Sequence, residues 1–216
     1  MKVTENKKTL FLLSSLRLLI NGLPPVLGKP WKEFEMVHVI TASKGATNLE
    51  YFERNRAFFK KEGFKSEELD LDGKNEDELR EILSKKELVY VEGGNSFYLM
   101  KSIRESGFEK VIKELLPKGL IYVGGSAGSY VACPTIEMAT WKHQDRNRFG
   151  VSDFTAMNLV PFLLSVHYKP EYRDILKEKI SQAQVKYPIK ILTDEQALLI
   201  KDGEVELIGD QNEVVL

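Results

Sequence analysis

Gly124-Gly125-Ser126-Ala127-Gly128 sets one serine among small residues in the order G-x-S-x-G. The run from Leu120 to Val123 ahead of it is short and apolar, and a helix start is expected after it. A serine at the tip of a strand-to-helix turn stands clear of its own backbone, and small neighbours let another molecule approach it. The free N–H groups and positive end of the following helix would face developing negative charge. Ser126 therefore reads as a nucleophile.

A serine hydroxyl is weak at neutral pH. It needs a general base, an acid that orients the base, and donors for an oxyanion. The chain has three histidines. His38 lies inside the apolar run Met36 to Ile40, and His143 lies in the irregular polar stretch 134–157. His167 ends the apolar run Leu159 to Val166, which should bring it to a strand terminus where open α/β sheets put their sites. His167 is the preferred base, with His143 and His38 behind it. Asp194 and Glu195 follow the strand-like Ile189 to Leu192, and Asp194, nearer the strand, is the preferred acid. Asp145 and Asp153 on the polar stretch are outside candidates. Ala127 N–H comes with the turn as one oxyanion donor. Gly93-Gly94-Asn95, a second small-residue turn after the apolar Leu88 to Val91, offers Gly94 and Asn95 as the other. These two turns also suit a silent anion-binding module, although neither has the spacing of a known phosphate loop.

The elements that must position these residues alternate. Thr9 to Leu13, Met36 to Ile40, Phe64 to Leu71, Leu88 to Val91 and Leu120 to Val123 read as strands. Residues 48–63, Asn75 to Leu83, Phe97 to Arg104 and Phe108 to Leu116 read as helices between them. The helix from Ala127 should stop before Pro134. Tyr172 to Tyr187 reads as a surface helix. Ala197 to Lys201 and Glu204 to Ile208 read as a hairpin turned at Asp202-Gly203, and Val214 to Leu216 as a closing strand. This is an α/β sandwich of three layers, a mainly parallel sheet flanked by helices, in one domain over 1–216.

The 216 residues carry 31 basic and 32 acidic side chains, a net charge of −1, so there is no basic footprint for nucleic acid. The one cysteine, Cys133, reads as a core residue and fits a reducing, cytoplasmic setting. The apolar stretch Leu10 to Ile20 is interrupted by Arg17 and is too short to span a bilayer, so a first strand is preferred to a signal peptide. No metal is expected, because the histidines are widely spaced and paired-ligand motifs are missing, and no cofactor is expected either.

Val91-Glu92-Gly93-Gly94-Asn95-Ser96-Phe97-Tyr98-Leu99, the block from Gly124 to Ile136, and Val166-His167-Tyr168 resemble the three signature blocks of the peptidase E family of serine peptidases. That family includes cyanophycinase-like enzymes and shares its fold with class I glutamine amidotransferases, which carry cysteine at the elbow. The resemblance runs from the strand near residue 37 to Asp194-Glu195-Gln196-Ala197-Leu198. It implies Ser126 as nucleophile, His167 as base and an acid in the block at Asp194 and Glu195, with Asp194 the better aligned. It also implies Asp-X dipeptides as substrate, and an arginine beyond the histidine, here Arg173, to bind the substrate carboxylate. The expected activity is serine exopeptidase action on small peptides. Its rivals are hydrolysis of another amide, such as a β-linked aspartyl bond, and the silent module. The expected partners are a small peptide substrate and, through a strand edge, a second copy of the chain.

Overall fold

The computed structural model of the chain describes residues 8–142, 146–183 and 187–216. In chain order its regular elements begin β1 (Thr9–Leu13), α1 (Arg17–Ile20), β2 (Met36–Val39), α2 (Thr41–Lys44), α3 (Glu50–Glu62), β3 (Ser66–Leu69) and α4 (Glu76–Leu83). They continue β4 (Leu88–Val91), α5 (Ser96–Ser106), α6 (Phe108–Leu115), β5 (Ile121–Gly125) and α7 (Ala127–Tyr130). The last are β6 (Leu163–Ser165), α8 (Arg173–Gln182), β7 (Ile189–Ile191), β8 (Gln196–Lys201) and β9 (Glu204–Gly209).

Seven strands form one sheet in the order β3-β2-β4-β5-β1-β8-β9. The five from β3 to β1 are parallel, and β8 and β9 close the edge antiparallel. Both faces are covered, and the alternation along each strand shows how. Leu10 and Leu12 of β1, Val89 and Val91 of β4, and Val37 and Val39 of β2 join the layer that holds Leu79, Leu99, Ile103, Val111 and Ile112. Phe11, Leu13, Leu88 and Tyr90 point the other way, onto Trp31, Phe34 and Phe59. β1 is central, with Phe11, Leu12 and Leu13 fully buried between β5 and β8.

Local chemistry sets the ends of these elements. Asn75 caps α4 through a capping box with Glu78. Asn95 caps α5 by accepting from Phe97 and Tyr98 N–H. Asp202 and Gly203, both at positive φ, turn β8 into β9.

Two expectations are corrected. Ile189 to Leu192 and Leu159 to Val166 do not join the main sheet: β6 and β7 pair only with each other, in parallel. Val214 to Leu216 form no strand, and the Val215 carbonyl instead accepts from Arg173. The stretch Thr41–Lys44 that follows β2 is one helical turn. The helix after Ser126 stops before Pro134 as expected and is one turn, Ala127–Tyr130. So short a helix has little macrodipole, and charge stabilisation here must come from individual N–H groups.

Candidate active site

Ser126 sits at φ 50°, ψ −105°, a conformation serine rarely adopts and one that costs on the order of 1–3 kcal/mol. Three backbone bonds hold it there. Ser126 N–H donates to the Leu13 carbonyl (3.1 Å), and the Ser126 carbonyl accepts from Ser129 (2.9 Å) and Tyr130 (3.0 Å). The glycines of the motif are required by space. A Cβ on Gly128 would lie 2.2 Å from the Val91 carbonyl oxygen, one on Gly124 2.5 Å from the Gly128 oxygen, and one on Gly125 2.7 Å from the Tyr90 hydroxyl. The elbow is thus pressed into β4, its neighbour strand.

Ser126 Oγ lies 2.8 Å from His167 Nε2, and His167 Nδ1 lies 2.5 Å from Asp194 Oδ1. The small sheet explains how residues 27 apart meet. Ser165 of β6 is in register with Ile191 of β7, and the two chains leave it side by side, Tyr168 N–H donating to the Leu192 carbonyl (2.9 Å). His167 and Asp194 are therefore neighbours as soon as both strands end. Burial pushes the Asp194 carboxyl up, but hydrogen bonds from His167 and Ser14 and the charges of His167 and Arg17 outweigh it and hold it below the ordinary carboxylate range. An ionised Asp194 can only accept, so His167 Nδ1 carries the proton and Nε2 is left to accept from the Ser126 hydroxyl.

The other candidates are elsewhere. His38 is 1 % exposed and packs among Phe52, Phe59 and Tyr90, its Nε2 3.0 Å from the Glu92 carboxylate. His143 and Asp145 lie outside the described residues. Glu195 accepts from Asn21 at 3.4 Å, and Asp153 faces Arg104 at the surface. Arg173 does not line the cavity at Ser126: it is exposed at the start of α8, where its Nη1 donates to the Val215 carbonyl. Asn95 does line that cavity, but its backbone N–H is already spent on the Ala42 carbonyl (3.0 Å) and its side chain on capping α5 and on the Arg146 carbonyl. Gly94, at φ 143°, and Ala127 have no such acceptor for their N–H groups among the described residues. Cys133 is fully buried, and burial pushes its thiol up to about 12.

Several supporting residues gave no signal in the sequence. Glu92, 2 % exposed, accepts from Gly93 N–H (2.9 Å), Tyr90 (3.0 Å) and Asn55 (3.2 Å) and so fixes the Gly93-Gly94 turn from beneath. Tyr51 donates to the Gly93 carbonyl on its other side (3.0 Å). The buried Lys142 donates to the Val166 carbonyl just before His167; burial draws its ammonium down to about 8 against the pull of Asp194. The cavity in front of Ser126 holds about 750 Å³, and Arg17, Arg54, Arg146 and Arg148 stand in its wall. Arg146 and Arg148 come from the long polar stretch, anchored by Phe149 against Tyr98 and by Phe154 against Phe97.

A mainly parallel α/β sheet with a serine at a strand-to-helix elbow, backed by histidine, is the arrangement of a serine hydrolase. The model of peptidase family S51 matches residues 14–208, and the chain belongs to that family. It is 30% identical over 169 residues to an uncharacterized peptidase of Pasteurella multocida, covering 78% of this chain and 81% of that one. It is 29% identical to the peptidase E of a Nostoc species, covering 79% and 70%. A crystal structure of a candidate peptidase E protein from Listeria monocytogenes superposes with a TM-score of 0.79 at 26% identity, over 95% of this chain and 100% of the other. The chain is a serine-type peptidase. Among its described residues no helix is long and apolar enough to cross a membrane.

Proposed function

We propose that this peptidase is an exopeptidase of small acidic peptides, Asp-X dipeptides in particular, working through Ser126, His167 and Asp194. The observation that carries the reading is the unbroken hydrogen-bonded chain from Ser126 Oγ through both His167 ring nitrogens to Asp194. Ser126 Oγ attacks the scissile carbonyl while its proton passes to His167 Nε2. Asp194 steadies the imidazolium that forms. The Gly94 and Ala127 N–H groups receive the oxyanion. His167 then gives the proton to the leaving amine, an acyl-serine remains, and water activated by the same base releases the acid and restores Ser126.

The four arginines of the cavity wall support an acidic substrate, and they take over the carboxylate-binding role expected of Arg173. Arg148 is tied to the Gly45 carbonyl and Arg17 stands 4.0 Å from Asp194, whereas Arg54 and Arg146 make no ion pair among the described residues. Arg54 and Arg146 are therefore the preferred carboxylate partners.

A dipeptide panel tests both parts. Asp-X should be cleaved faster than neutral dipeptides, and Ser126→Ala should cleave nothing. Arg54→Ala should cut the Asp-X preference by about tenfold, the value of one charge-assisted hydrogen bond. Arg173→Ala should leave it unchanged. Equal cleavage of neutral dipeptides by the wild type would defeat the acidic specificity, and undiminished cleavage by Ser126→Ala would defeat the nucleophile. A β-linked aspartyl substrate uses the same groups, and isoaspartyl dipeptides in the panel separate it.

A further inference from the structure

The mechanism above leaves out one fully buried hydroxyl next to its groups. Ser14, the residue after β1, is 0% exposed. Its Oγ accepts from His167 N–H at 2.8 Å and lies 3.0 Å from Asp194 Oδ1. A backbone N–H can only donate, so the hydroxyl oxygen must accept there, and the single hydroxyl proton is left for Asp194. Asp194 Oδ1 thus receives two donors, His167 Nδ1 and Ser14 Oγ.

We propose that Ser14 is a positioning residue that locks the His167–Asp194 pair by holding the backbone of one and the carboxylate of the other through a single hydroxyl. This rests on the triad reading above. Two observations show why the pair gains from such a brace. His167 has φ 57°, a left-handed conformation uncommon for a residue other than glycine, and the bond to its N–H restrains it. Asp194 has a short side chain on a turn, and among the described residues its other carboxylate oxygen pairs with Arg17 at 4.0 Å, an arginine whose side chain is 55% exposed. Without Ser14 the carboxylate could swing about its Cα–Cβ bond and break the His167 Nδ1 bond.

The place of Ser14 in the chain adds to this. The preceding residue, Leu13, accepts Ser126 N–H through its carbonyl, and also the Ser129 hydroxyl at 2.8 Å. Ser14 N–H in turn donates to the Gln196 carbonyl at the start of β8, two residues past Asp194. The end of β1 therefore touches the nucleophile elbow with one residue and the base–acid pair with the next. Ser126, His167 and Asp194 come from three separate segments, and Leu13-Ser14 is the point where all three are fastened.

An alkyl fluorophosphonate, which reacts with the activated serine whatever the peptide specificity, reads out the effect. Ser14→Ala and the nearly isosteric Ser14→Cys should each lower the maximal labelling rate by about 10- to 100-fold, with the half-saturating probe concentration changed by less than about twofold. The downfield proton resonance of His167 Nδ1–H, present in wild type and in Ser126→Ala, should shift or broaden away in Ser14→Cys. A wild-type labelling rate in both Ser14 variants overturns the proposal. So does a slower rate with the Nδ1–H resonance unmoved, because the loss would then be structural. If Ser14→Ala does not fold, Ser14→Cys decides. Failure of the triad reading shows separately, as undiminished labelling of Ser126→Ala.

Discussion

His167 and Ser126 both adopt backbone conformations uncommon for non-glycine residues, and both are held by bonds to Leu13, which ends β1, and Ser14, which follows it. At this scale Asp194 makes the sharpest predictions. Asp194→Asn keeps the shape but can present an N–H to Nδ1, which favours the tautomer that cannot accept from Ser126; kcat should fall by roughly 10³- to 10⁴-fold in a steady-state assay. The Asp194 carboxyl is held below its free value of 3.8, so the folded state binds its proton less readily than the unfolded state does. Its stabilisation is therefore complete above the unfolded value and is lost as pH falls through the folded one. Urea midpoints of wild type and Asp194→Asn should differ at neutral pH and converge in acid below about pH 4. At Cys133 burial outweighs a backbone hydrogen bond at Leu164. With its thiol pushed up to about 12, it should resist a thiol-disulfide reagent in the native protein and react fully once guanidinium unfolds the chain.

The elements place these residues by close approach. The elbow glycines are legible in the sequence as a pattern, but their reason lies in a neighbouring strand: Gly128 packs its backbone on the Val91 carbonyl of β4. Gly128→Ala should cost about 1–3 kcal/mol by thermal unfolding, and the displaced elbow should slow fluorophosphonate labelling as well. The helices from α3 to α6 fall close to where periodicity and caps put them, since Gly63 and Gly107 stop α3 and α5 in the left-handed conformation. What periodicity could not show is which strand a short apolar run pairs with. Leu163–Ser165 and Ile189–Ile191 look like any strands of an α/β sheet, yet they pair only with each other, and that pairing is what brings base to acid. Arg173 illustrates the same limit. The family resemblance implies a substrate role for it, but the start of α8 turns it toward the chain end at Val215.

Across the whole molecule, β1 links stability to the site. It lies between β5 and β8, with Leu10, Phe11, Leu12 and Leu13 at most 1% exposed. Burying side chains of this size contributes about 1.5–3 kcal/mol each, so the strand supplies an amount comparable to the whole stability of about 5–15 kcal/mol usual for a domain. A chain beginning at Ser15 should fail to give a cooperative melting transition by circular dichroism, and it should also fail to label. The apolar run near the N-terminus is therefore an interior strand of the sheet. The cavity is likewise a property of the whole: its arginines come from α1, α3 and the stretch after residue 142, which meet only when the layers close.

The G-x-S-x-G turn with its flanking strand, the helix–strand alternation and the capping residues all follow from neighbours along the chain. So the fold class is legible in the sequence, as is the candidacy of Ser126, His167 and Asp194, which the fold brings together. The rest depends on groups far apart in sequence. That Asn95 N–H is consumed by Ala42, that Glu92 supports the Gly93-Gly94 turn, that four arginines line the cavity while Arg173 does not, and that Ser14 joins His167 to Asp194 depend on segments brought together by folding. Hydrogen bonds and close contacts are short-ranged, and only the folded chain brings their two halves within reach.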